Sequence, residues 1–563
     1  AEYMASLPAS HQKLLREIVR EYRRGGIDLP ADKKTQLKKL DAELSKLNTD
    51  FTRNLVEVSD ACGIAITDVS ELAGLEPEFI DACRQAAEQK GLPGYWVGYS
   101  EPNYAGVMSH CSHAPTRAAF YKAANTRAAK VNEAVAQDIL RLRKQRAQLL
   151  GYKNHAEYVL ETRMVKKPAV AIDFIADLAR RYKPRSVQEY HQTLAFAREY
   201  EKNPELELGV WEVDSGLDFY YAQLLREKTC DFSEKTVSEY FPLATVRDGM
   251  FSTLATLYGV TFSKAPADIT TWHEAVEVYD IRDQAGHHLA RVWCDWLARP
   301  GKNGGAWMTE YYVAERANNT FDKPHLGYVV CNFSLPTATK PSLLSIREVE
   351  TMWHEFGHYM HLALSRTALP EQAAVACKWD FIEAPSQIME NWVWQPQILQ
   401  RISKHYQTGQ PLPDDLIKKM LTSQNFRVAA KAMRQFNYAT IDLVLHTSYD
   451  PDGQVGVIEQ GRRTKADFVP LPVPDFESSI TGFAHIFSGG YAAGYYGYKW
   501  AEAIQADLFS RFATEGVLNP EVGQAYAEQI LARGDEAEPE VLVRNFLGRE
   551  SSNQAMLERD GIA

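Results

Sequence analysis

The sequence predicts a mainly α-helical protein that contains one small β-sheet. In the first half of the chain, apolar residues recur at steps of three and four, which is the period of an amphipathic helix. Between about residues 275 and 335 the pattern changes to short apolar runs that are typical of strands. With 563 residues, 45% of them hydrophobic, the chain can bury an extensive core, which we expect to be divided between two or more packed units.

The helical pattern is clearest in an apolar stripe near the start of the chain. It consists of Leu37, Leu40, Leu44, Leu47, Phe51 and Leu55. This spacing predicts a long helix that packs antiparallel against others rather than a free coiled coil. Similar patterns cover residues 117–149 and 170–200. In the first of these stretches, four basic residues are predicted to form a solvated helix face: Arg141, Arg143, Lys144 and Arg146.

Four strands are predicted for the sheet. They cover residues 276–281, 288–296, 307–314 and 326–333, and the first two flank a turn at 283–286. Gly301, Gly304 and Gly305 are expected to form a flexible connection between the second and third strands. The open edge of the sheet is expected to hold an extended peptide by strand addition, with a purely structural sheet as the alternative.

The most informative motif is HEFGH at residues 354–358, directly after this sheet. Ser345 and Glu348 form a predicted capping box ahead of it, and apolar residues recur around it at helical spacing, which places the motif in a buried helix. Residues at i and i+4 share a helix face, so the two histidines can bind one zinc ion while Glu355 lies close to a water on that metal. The alternative is that both histidines are ordinary packed helix residues.

A catalytic zinc site normally has three protein ligands and one open position, so a third ligand is needed. Glu383 is the best candidate, because Pro385 places it at the start of a helix, among apolar neighbours that would make an unpaired carboxylate costly. Glu390 lies seven residues on and is expected to orient a ligand histidine through its free ring nitrogen, with Gln387 as a rival. His361 is a further candidate for such a supporting contact. A surface position for Glu390 and core packing for His361 are the alternatives.

A segment rich in glycine and tyrosine lies far downstream, at residues 485–498. It is predicted to be a mobile loop that runs into a helix, in which Gly489 and Gly490 let the backbone approach a substrate closely. Its tyrosines stand at i, i+4 and i+7, so their phenol groups can point the same way. They are Tyr491, Tyr495 and Tyr498. Core packing is the alternative for such a stripe.

Three separated segments carry a resemblance to a known family. They are HEFGH at 354–358, WDFIEAPSQIMENWVW at 379–394 and FAHIFSGGYAAGYYGYKW at 483–500. In this order they resemble the motifs of the thimet oligopeptidase and oligopeptidase A family of zinc metallopeptidases, and most closely its oligopeptidase A-like members. The likeness extends over essentially the whole chain. It implies a two-lobed helical molecule with a deep central channel, zinc on the channel floor and the small β-sheet beside the zinc helix.

The resemblance also implies a role for individual residues. The zinc ligands, for one zinc ion per chain, are His354, His358 and Glu383, and the general base is Glu355. Transition-state stabilisation is implied for His485, Tyr491 and Tyr498, and a substrate-facing position for Tyr495.

These roles predict a zinc-dependent metallopeptidase that hydrolyses internal bonds of short unfolded oligopeptides. Zinc lowers the pKa of its bound water toward neutrality, Glu355 takes the proton, and phenol or imidazole donors stabilise the charge that develops on the carbonyl oxygen. A zinc dipeptidyl carboxypeptidase that releases C-terminal dipeptides is the first alternative. A non-catalytic helical peptide-binding protein is a distant second.

The expected organisation follows the positions of these segments. Residues 1–150 are expected to form mainly an N-terminal helical lobe, and residues 151–563 the catalytic region. The catalytic region would contain the sheet at about 275–335, the zinc-binding helices at about 345–400 and the glycine- and tyrosine-rich segment at about 482–500. Some helices are expected to be shared between the lobes.

Composition limits the partners and the compartment. The chain has 62 basic and 73 acidic residues, a net charge of -11, which argues against a nucleic-acid partner. Seven scattered cysteines without a metal-spaced pair favour a reducing compartment, so a cytoplasmic location is expected. No apolar run is long enough to span a bilayer and no signal peptide is evident, so no membrane partner is expected. A monomer is expected. Because the sequence starts at Ala1 rather than methionine, the removal of a preceding helical or targeting segment stays open.

Overall fold

The structure is a computed structural model. It describes residues 4, 6–213, 218–230, 233–299, 301–302, 304–316, 322–337 and 339–563, and Ala1 lies outside this set. Helices dominate, as the sequence predicts. No helix in these ranges is both long enough and apolar enough to cross a bilayer.

The part of the chain before the sheet is helical. Its helices are α1 (Ala9–Arg24), α2 (Ala31–Ala61), α3 (Pro77–Gln89), α4 (Glu101–His110), α5 (Ala114–Thr126), α6 (Ala129–Leu149), α7 (His155–Leu160), α8 (Pro168–Tyr200), α9 (Tyr220–Cys230), α10 (Glu234–Ser238) and α11 (Leu243–Tyr258). Two short antiparallel strands that the sequence analysis did not predict, β1 (Gly63–Ile66) and β2 (Tyr95–Gly98), lie among them. The predicted apolar stripe lies on α2, which packs against α6.

The sheet next to the motif helix has five strands rather than the four predicted. They are β3 (Val260–Lys264), β4 (Glu277–Asp283), β5 (His288–Leu297), β6 (Trp307–Tyr312) and β7 (His325–Phe333). Their order is β3-β4-β5-β7-β6, with β5 and β7 parallel and the other pairs antiparallel. The missed strand, β3, follows directly after Gly259, whose positive φ of 65° ends α11. One edge of the sheet is β6.

The rest of the described chain returns to helices. They are α12 (Ile346–Ala363), α13 (Ala384–Val393), α14 (Pro396–Ile402), α15 (Asp414–Gln424), α16 (Val428–Thr447), α17 (Val457–Lys465), α18 (Ala484–Phe487), α19 (Gly497–Glu515), α20 (Pro520–Gln529), α21 (Pro539–Leu547) and α22 (Gln554–Arg559). Short 3₁₀ helices cover Val69–Leu72, Val210–Glu212, Pro370–Gln372, Ala374–Ala376, Ser479–Gly482 and Leu531–Arg533.

Two large hydrophobic cores organise these elements. The sheet core joins β3–β7 to α11–α15 and α19–α21. The helical core joins α2 and α6–α8 to α16, α18 and α22. Helix α19 contributes to both, with Leu508 in the sheet core and Ala503 in the helical core. The helical core therefore combines early and late parts of the chain, and the predicted division near residue 150 stays a prediction.

One sequence prediction about this packing is wrong. Arg143 was assigned to a solvated face, but it is only 6% exposed, because its guanidinium binds main-chain carbonyls of the helical core. Its neighbours Arg141 and Lys144 form ion pairs with Asp452 and Asp450 at the surface, as a solvated face would.

Candidate metal centre

Helix α12 carries the HEFGH motif and begins at the predicted capping box. Ser345 Oγ accepts a hydrogen bond from the Glu348 N–H at 3.3 Å, and Glu348 Oε2 accepts one from the Ser345 N–H at 2.8 Å. One face of the helix is buried in the sheet core through Val349, Met352, Trp353, Phe356 and Met360. The opposite face presents His354 and His358, whose side chains are 22% and 12% exposed.

The glycine of the motif allows a second helix to lie unusually close. A Cβ at Gly357 would stand 2.7 Å from Ser386 Cα and 2.8 Å from the Pro385 carbonyl oxygen, both in α13. Only glycine fits this approach without moving a backbone. Because α13 begins at Ala384, its preceding residue Glu383 lies beside the two histidines, as predicted from the position of Pro385.

Three side chains of these two helices converge. Glu383 Oε2 lies 3.2 Å from His354 Nε2 and 3.2 Å from His358 Nε2. The three potential ligand atoms lie within 4.8 Å of one another, and this is the sole group among the described residues with such geometry for a metal ion. The structure thus brings together all three residues that the sequence analysis selected as ligands.

Supporting contacts fix the orientation of this group. His354 Nδ1 lies 2.7 Å from Glu390 Oε1, so Nδ1 donates to the carboxylate and Nε2 faces Glu383. Ser386 Oγ donates to Glu383 Oε2 at 3.0 Å. The contact predicted for Glu390 is therefore present. Gln387 makes no hydrogen bond through its buried Oε1, and both ring nitrogens of the buried His361 lack a partner among the described atoms.

The charges in this group stabilise each other strongly. Burial alone would lower the pKa of His354, but hydrogen bonds to Glu383 and Glu390 outweigh it and raise the pKa to about 10. Burial likewise favours a neutral Glu383, yet the hydrogen bonds from both histidines hold its pKa far below the usual range. A carboxylate that faces two imidazole nitrogens requires a positive charge between them, which a proton supplies here and a metal ion can supply instead.

The motif glutamate, Glu355, is not one of the three residues that converge, and it occupies a different environment. Glu355 is only 7% exposed. Burial raises the pKa of Glu355, although the neighbouring His354 and His358 lower it. The backbone amide of Met308 also lowers the pKa, which places the carboxylate beside the edge strand β6. A buried carboxyl group whose pKa is raised is a better proton acceptor than an ordinary glutamate.

Aromatic side chains of the glycine- and tyrosine-rich segment form a cluster next to this group. Tyr491 and Tyr498 stack with ring centroids 5.2 Å apart, and Tyr495 lies edge-on to Tyr498 at 5.2 Å. His485 lies 5.9 Å from Tyr491 and 5.7 Å from Tyr495. Burial raises the pKa of Tyr498 well above its usual value, and the Tyr491 hydroxyl and the charge of Glu383 raise it further. The Tyr498 hydroxyl is therefore within electrostatic range of the Glu383 carboxylate.

A comparison with known protein families decides what kind of molecule carries this arrangement. The sequence pattern of Peptidase family M3 matches residues 107–562 of the chain. The chain belongs to peptidase family M3. The resemblance inferred from the three motifs is thereby confirmed, and the chain is a metallopeptidase.

Individual relatives agree with the M3 assignment. Oligopeptidase A of Escherichia coli (strain K12) is 35% identical over 571 residues, which cover 100% of this chain and 83% of that protein. Dipeptidyl carboxypeptidase of the same organism is 30% identical over 98% of this chain and 80% of that protein. Among solved structures, a putative oligoendopeptidase F has a TM-score of 0.54 at 13% identity and covers 98% of this chain and 84% of that one, which supports the fold alone.

Two buried charged residues hold the glycine- and tyrosine-rich segment in place, and neither was predicted to do so from the sequence. We call them the anchors. Asp442 of α16 is fully buried and accepts the backbone N–H groups of Ala493 at 2.8 Å and Tyr495 at 2.9 Å. Arg143 of α6 donates to the carbonyl oxygens of Ile486 at 2.7 Å and Phe487 at 3.1 Å. His446 connects the two anchors.

The connecting histidine contacts both charged groups. Its Nε2 lies 3.0 Å from Arg143 Nη1, and its Nδ1 lies 2.9 Å from Asp442 Oδ1. Residues on both sides of Gly489 and Gly490 are therefore fixed. Gly490 has a φ of 85°, and a Cβ there would meet nothing within 4 Å, so the turn between the anchors projects into open space.

A third residue that was not predicted connects the segment that carries Glu383 to the glycine- and tyrosine-rich segment. Asp380 precedes Glu383 by three residues and is 1% exposed. It accepts hydrogen bonds from the Met164 N–H at 2.9 Å and from the Tyr496 hydroxyl at 2.8 Å. Burial raises the pKa of Asp380, although these donors lower it. The Trp379 ring packs edge-on against Tyr491 at 5.1 Å, so this segment contacts the glycine- and tyrosine-rich segment twice, at Tyr491 and at Tyr496.

Proposed function

We propose that this M3 metallopeptidase is a zinc-dependent endo-oligopeptidase that hydrolyses internal bonds of short unfolded peptides. The observation that carries the proposal is the convergence of His354 Nε2, His358 Nε2 and Glu383 Oε2. Two imidazole nitrogens and one carboxylate are a donor set of catalytic zinc sites, which leave a further position open to water or substrate. We propose one zinc ion per chain.

The side chains around the site fit zinc for two further reasons. Glu390 holds a proton on His354 Nδ1, so a metal ion at Nε2 has only to displace the proton that Nε2 shares with Glu383. Ser386 holds Glu383 Oε2 in place through a hydrogen bond, and the close packing at Gly357 fixes the two helices that carry the donors. Such supporting contacts raise metal affinity by restricting the ligands to one geometry.

The reaction that we propose assigns a role to each nearby group. A zinc ion held by His354, His358 and Glu383 would supply Lewis acidity that lowers the pKa of water and polarises a carbonyl group. Glu355 accepts the proton of the attacking water and later donates it to the leaving amine. The phenol groups of Tyr491 and Tyr498 and the imidazole of His485 donate hydrogen bonds to the carbonyl oxygen as its negative charge develops.

The position of the site suits an extended peptide. It lies where the sheet core and the helical core meet, because α12 belongs to the first and the tyrosine segment packs on the second. The edge strand β6 lies beside Glu355, so its unpaired backbone groups can bind a substrate strand in register with the reacting carbonyl. Tyr495, Gly489 and Gly490 would contact the substrate from the opposite side. Supporting roles for Gln387 and His361 stay predictions.

The identities to two relatives favour cleavage of internal bonds over release of C-terminal dipeptides. The protein named Oligopeptidase A is 35% identical to this chain, and the protein named Dipeptidyl carboxypeptidase is 30% identical. Dipeptide release from the carboxyl terminus is retained as the second candidate. The seven cysteines are all free, which agrees with the cytoplasmic location that we propose, and sedimentation analysis will test the proposed monomer.

The experiment that tests the proposal is mass spectrometry of products from peptides of graded length, with free or amidated carboxyl termini. The zinc-loaded enzyme is expected to cleave internal bonds of both forms, whereas a dipeptidyl carboxypeptidase needs the free terminus. Glu355→Gln should retain one zinc by elemental analysis and lose nearly all turnover. The matched control is Glu371→Gln, an exposed glutamate in a nearby 3₁₀ helix. Full turnover in zinc-loaded Glu355→Gln would refute the assigned base.

A further inference from the structure

Glu310 carries a carboxylate on the edge strand β6 that has no partner among the described residues. Its Oε2 is buried without a hydrogen bond, and no cation in those ranges lies within ion-pair distance of it. Burial alone raises the pKa of Glu310, so no neighbouring charge compensates the carboxylate. The residues outside the described ranges include no lysine, arginine or histidine.

An uncompensated carboxylate of this kind makes the folded protein less stable. Its transfer out of water is unfavourable unless hydrogen bonds or an opposite charge compensate for it. Asp295, on the neighbouring strand β5, meets this requirement inside the fold, because it pairs with Arg299 at 2.6 Å and Lys302 at 2.9 Å. Glu310 is therefore better explained by a group that arrives from outside the chain than by a role in folding.

The position of Glu310 relates it to the proposed general base. The backbone amide of Met308 faces the Glu355 carboxylate. Glu310 follows Met308 by two residues, so their side chains stand on the same face of β6 and their backbone groups point to the same side. Two residues of a strand span about 7 Å. The Glu310 carboxylate thus lies a short distance along the strand from Glu355.

The side chain of Glu310 lies on the face of the sheet that packs against α12. Glu310 pairs with Gly327 of β7, and directly opposite residues of an antiparallel pair share a face. A Cβ at Gly327 would lie 3.1 Å from side-chain atoms of Tyr359 and Leu362 in α12, which identifies that face. The carboxylate is therefore on the side of the edge strand where the helix of the candidate metal centre lies.

We infer that Glu310 binds a positively charged group of the peptide substrate and sets a preference for a cation near the cleaved bond. This inference rests on the proposed peptidase function, because it assumes that the peptide pairs with β6. Opposite residues of paired strands have Cβ atoms about 4.5–5.5 Å apart, which is within reach of a lysine or arginine side chain.

The geometry of the strand also gives the position of this cation. The substrate residue opposite Met308 would lie next to Glu355, so the cation is expected about two residues from the bond that is cleaved. It comes either from a lysine or arginine side chain or from the amino terminus of the peptide.

The test uses the zinc-loaded protein and a set of quenched fluorescent peptides. A single lysine is moved through every position of one sequence, each peptide is paired with its glutamine counterpart, and all are made with free and acetylated amino termini. At one position, or for the free terminus, kcat/KM is expected to rise about tenfold over the neutral counterpart, as a hydrogen bond between charged groups would give. Mass spectrometry of the products locates the cleaved bond in each peptide.

Three variants assign this preference to one carboxylate. Glu310→Gln keeps the size of the side chain and should bring the ratio close to one, and Glu310→Lys should favour a glutamate at the same peptide position. Glu315→Gln removes the same charge from an exposed glutamate five residues on and should keep the wild-type ratio. Equal rates for all charged and neutral pairs, or a lysine preference that survives Glu310→Gln, would overturn the inference.

The stability of Glu310→Gln separates substrate binding from a structural role. Because the wild-type carboxylate is uncompensated, the variant should unfold at the same urea concentration as the wild type or at a higher one. A lower midpoint would reveal a structural partner for the carboxylate and contradict the assignment.

Failure of the proposed peptidase function gives a different result, because the zinc-loaded wild type would then hydrolyse none of the peptides. Binding of the same peptides, measured by fluorescence anisotropy, tests the cation preference without turnover. A lysine preference in binding that Glu310→Gln removes would support the cation site even in that case, and charge-independent binding would refute it.

Discussion

Replacement of Arg143 by methionine tests whether the buried anchor beneath the tyrosine segment controls catalysis. In the wild type, Arg143 donates to two carbonyl oxygens, those of Ile486 and Phe487, which follow His485 directly. It also contacts His446, which binds the second anchor, Asp442. Methionine fills most of the same space with a flexible apolar chain but donates no hydrogen bond.

The expected loss of stability follows from the hydrogen bonds that methionine cannot donate. Two buried carbonyls lose their donors, at about 1–3 kcal/mol each. Removal of the buried guanidinium also recovers part of the free energy that its transfer out of water costs. This desolvation is large enough to lower the pKa of Arg143 to about 10. We therefore expect the free energy of unfolding to fall by about 2–4 kcal/mol.

The effect on catalysis should exceed what the loss of folded protein explains. Displacement of a catalytic group by about 1 Å can cost about a hundredfold in rate. Because Arg143 holds the backbone next to His485, kcat should fall about ten- to a hundredfold with a smaller change in KM. Urea unfolding and steady-state hydrolysis of one quenched peptide measure the two effects separately.

Two variants on the same helix complete the design. Arg141→Met, two residues away, removes a partly exposed arginine that pairs with Asp452 at the surface, and it should leave kcat unchanged. Arg143→Lys can donate to one of the two carbonyls and should recover part of the lost rate. Wild-type kcat in a folded Arg143→Met enzyme would refute the anchoring argument.

Three further predictions concern single residues. Tyr498→Phe should lower kcat more than it raises KM, if its hydroxyl donates mainly in the transition state, and an unchanged kcat would remove it from the reaction. Gly357→Ala should destabilise the protein by about 1–3 kcal/mol and weaken zinc binding, since the new methyl group meets backbone atoms of α13 that cannot give way. Equilibrium dialysis of zinc and urea unfolding measure both effects, and a more stable variant would contradict the packing. Burial, with a smaller contribution from Arg316, lowers the pKa of His325 to about 4 in the folded protein. In the unfolded chain this histidine has its ordinary pKa of about 6.5, so the unfolded state binds the proton first as the pH falls. Between pH 7.5 and 5 the wild type should therefore lose about 2 kcal/mol more unfolding free energy than His325→Gln, and parallel pH curves would contradict the assignment.

The convergence of His354, His358 and Glu383 was predictable because its geometry is local. A helix places residues at i and i+4 on one face, so the sequence alone joins His354 to His358. The position of Glu383 followed from a proline, which is tolerated at a helix start. Strand β3 was missed because its apolar alternation covers only Val260 and Phe262 in five residues, and its pairing with the distant strand β4 stabilises it.

The anchors were unpredictable because their partners are distant in sequence. Arg143 binds a carbonyl 343 residues away, and the local sequence around it, with four basic residues within six positions, resembles a solvated helix face. Asp442 lies in an apolar stretch of α16. A single carboxylate in such a stretch indicates a buried group that has hydrogen-bond partners. That signal could have marked it as structural, but no local pattern identifies the backbone that it binds.

The two halves of the site belong to different hydrophobic cores, so their relative position depends on a few connections. Asp380 is one of these, because its carboxylate binds Tyr496 from the tyrosine side while its own chain leads within three residues to Glu383. Helix α19 is another, since it begins at Gly497 and packs on both cores. Residues that never touch the peptide, such as Asp380, are therefore expected to affect both the metal geometry and the position of the tyrosines.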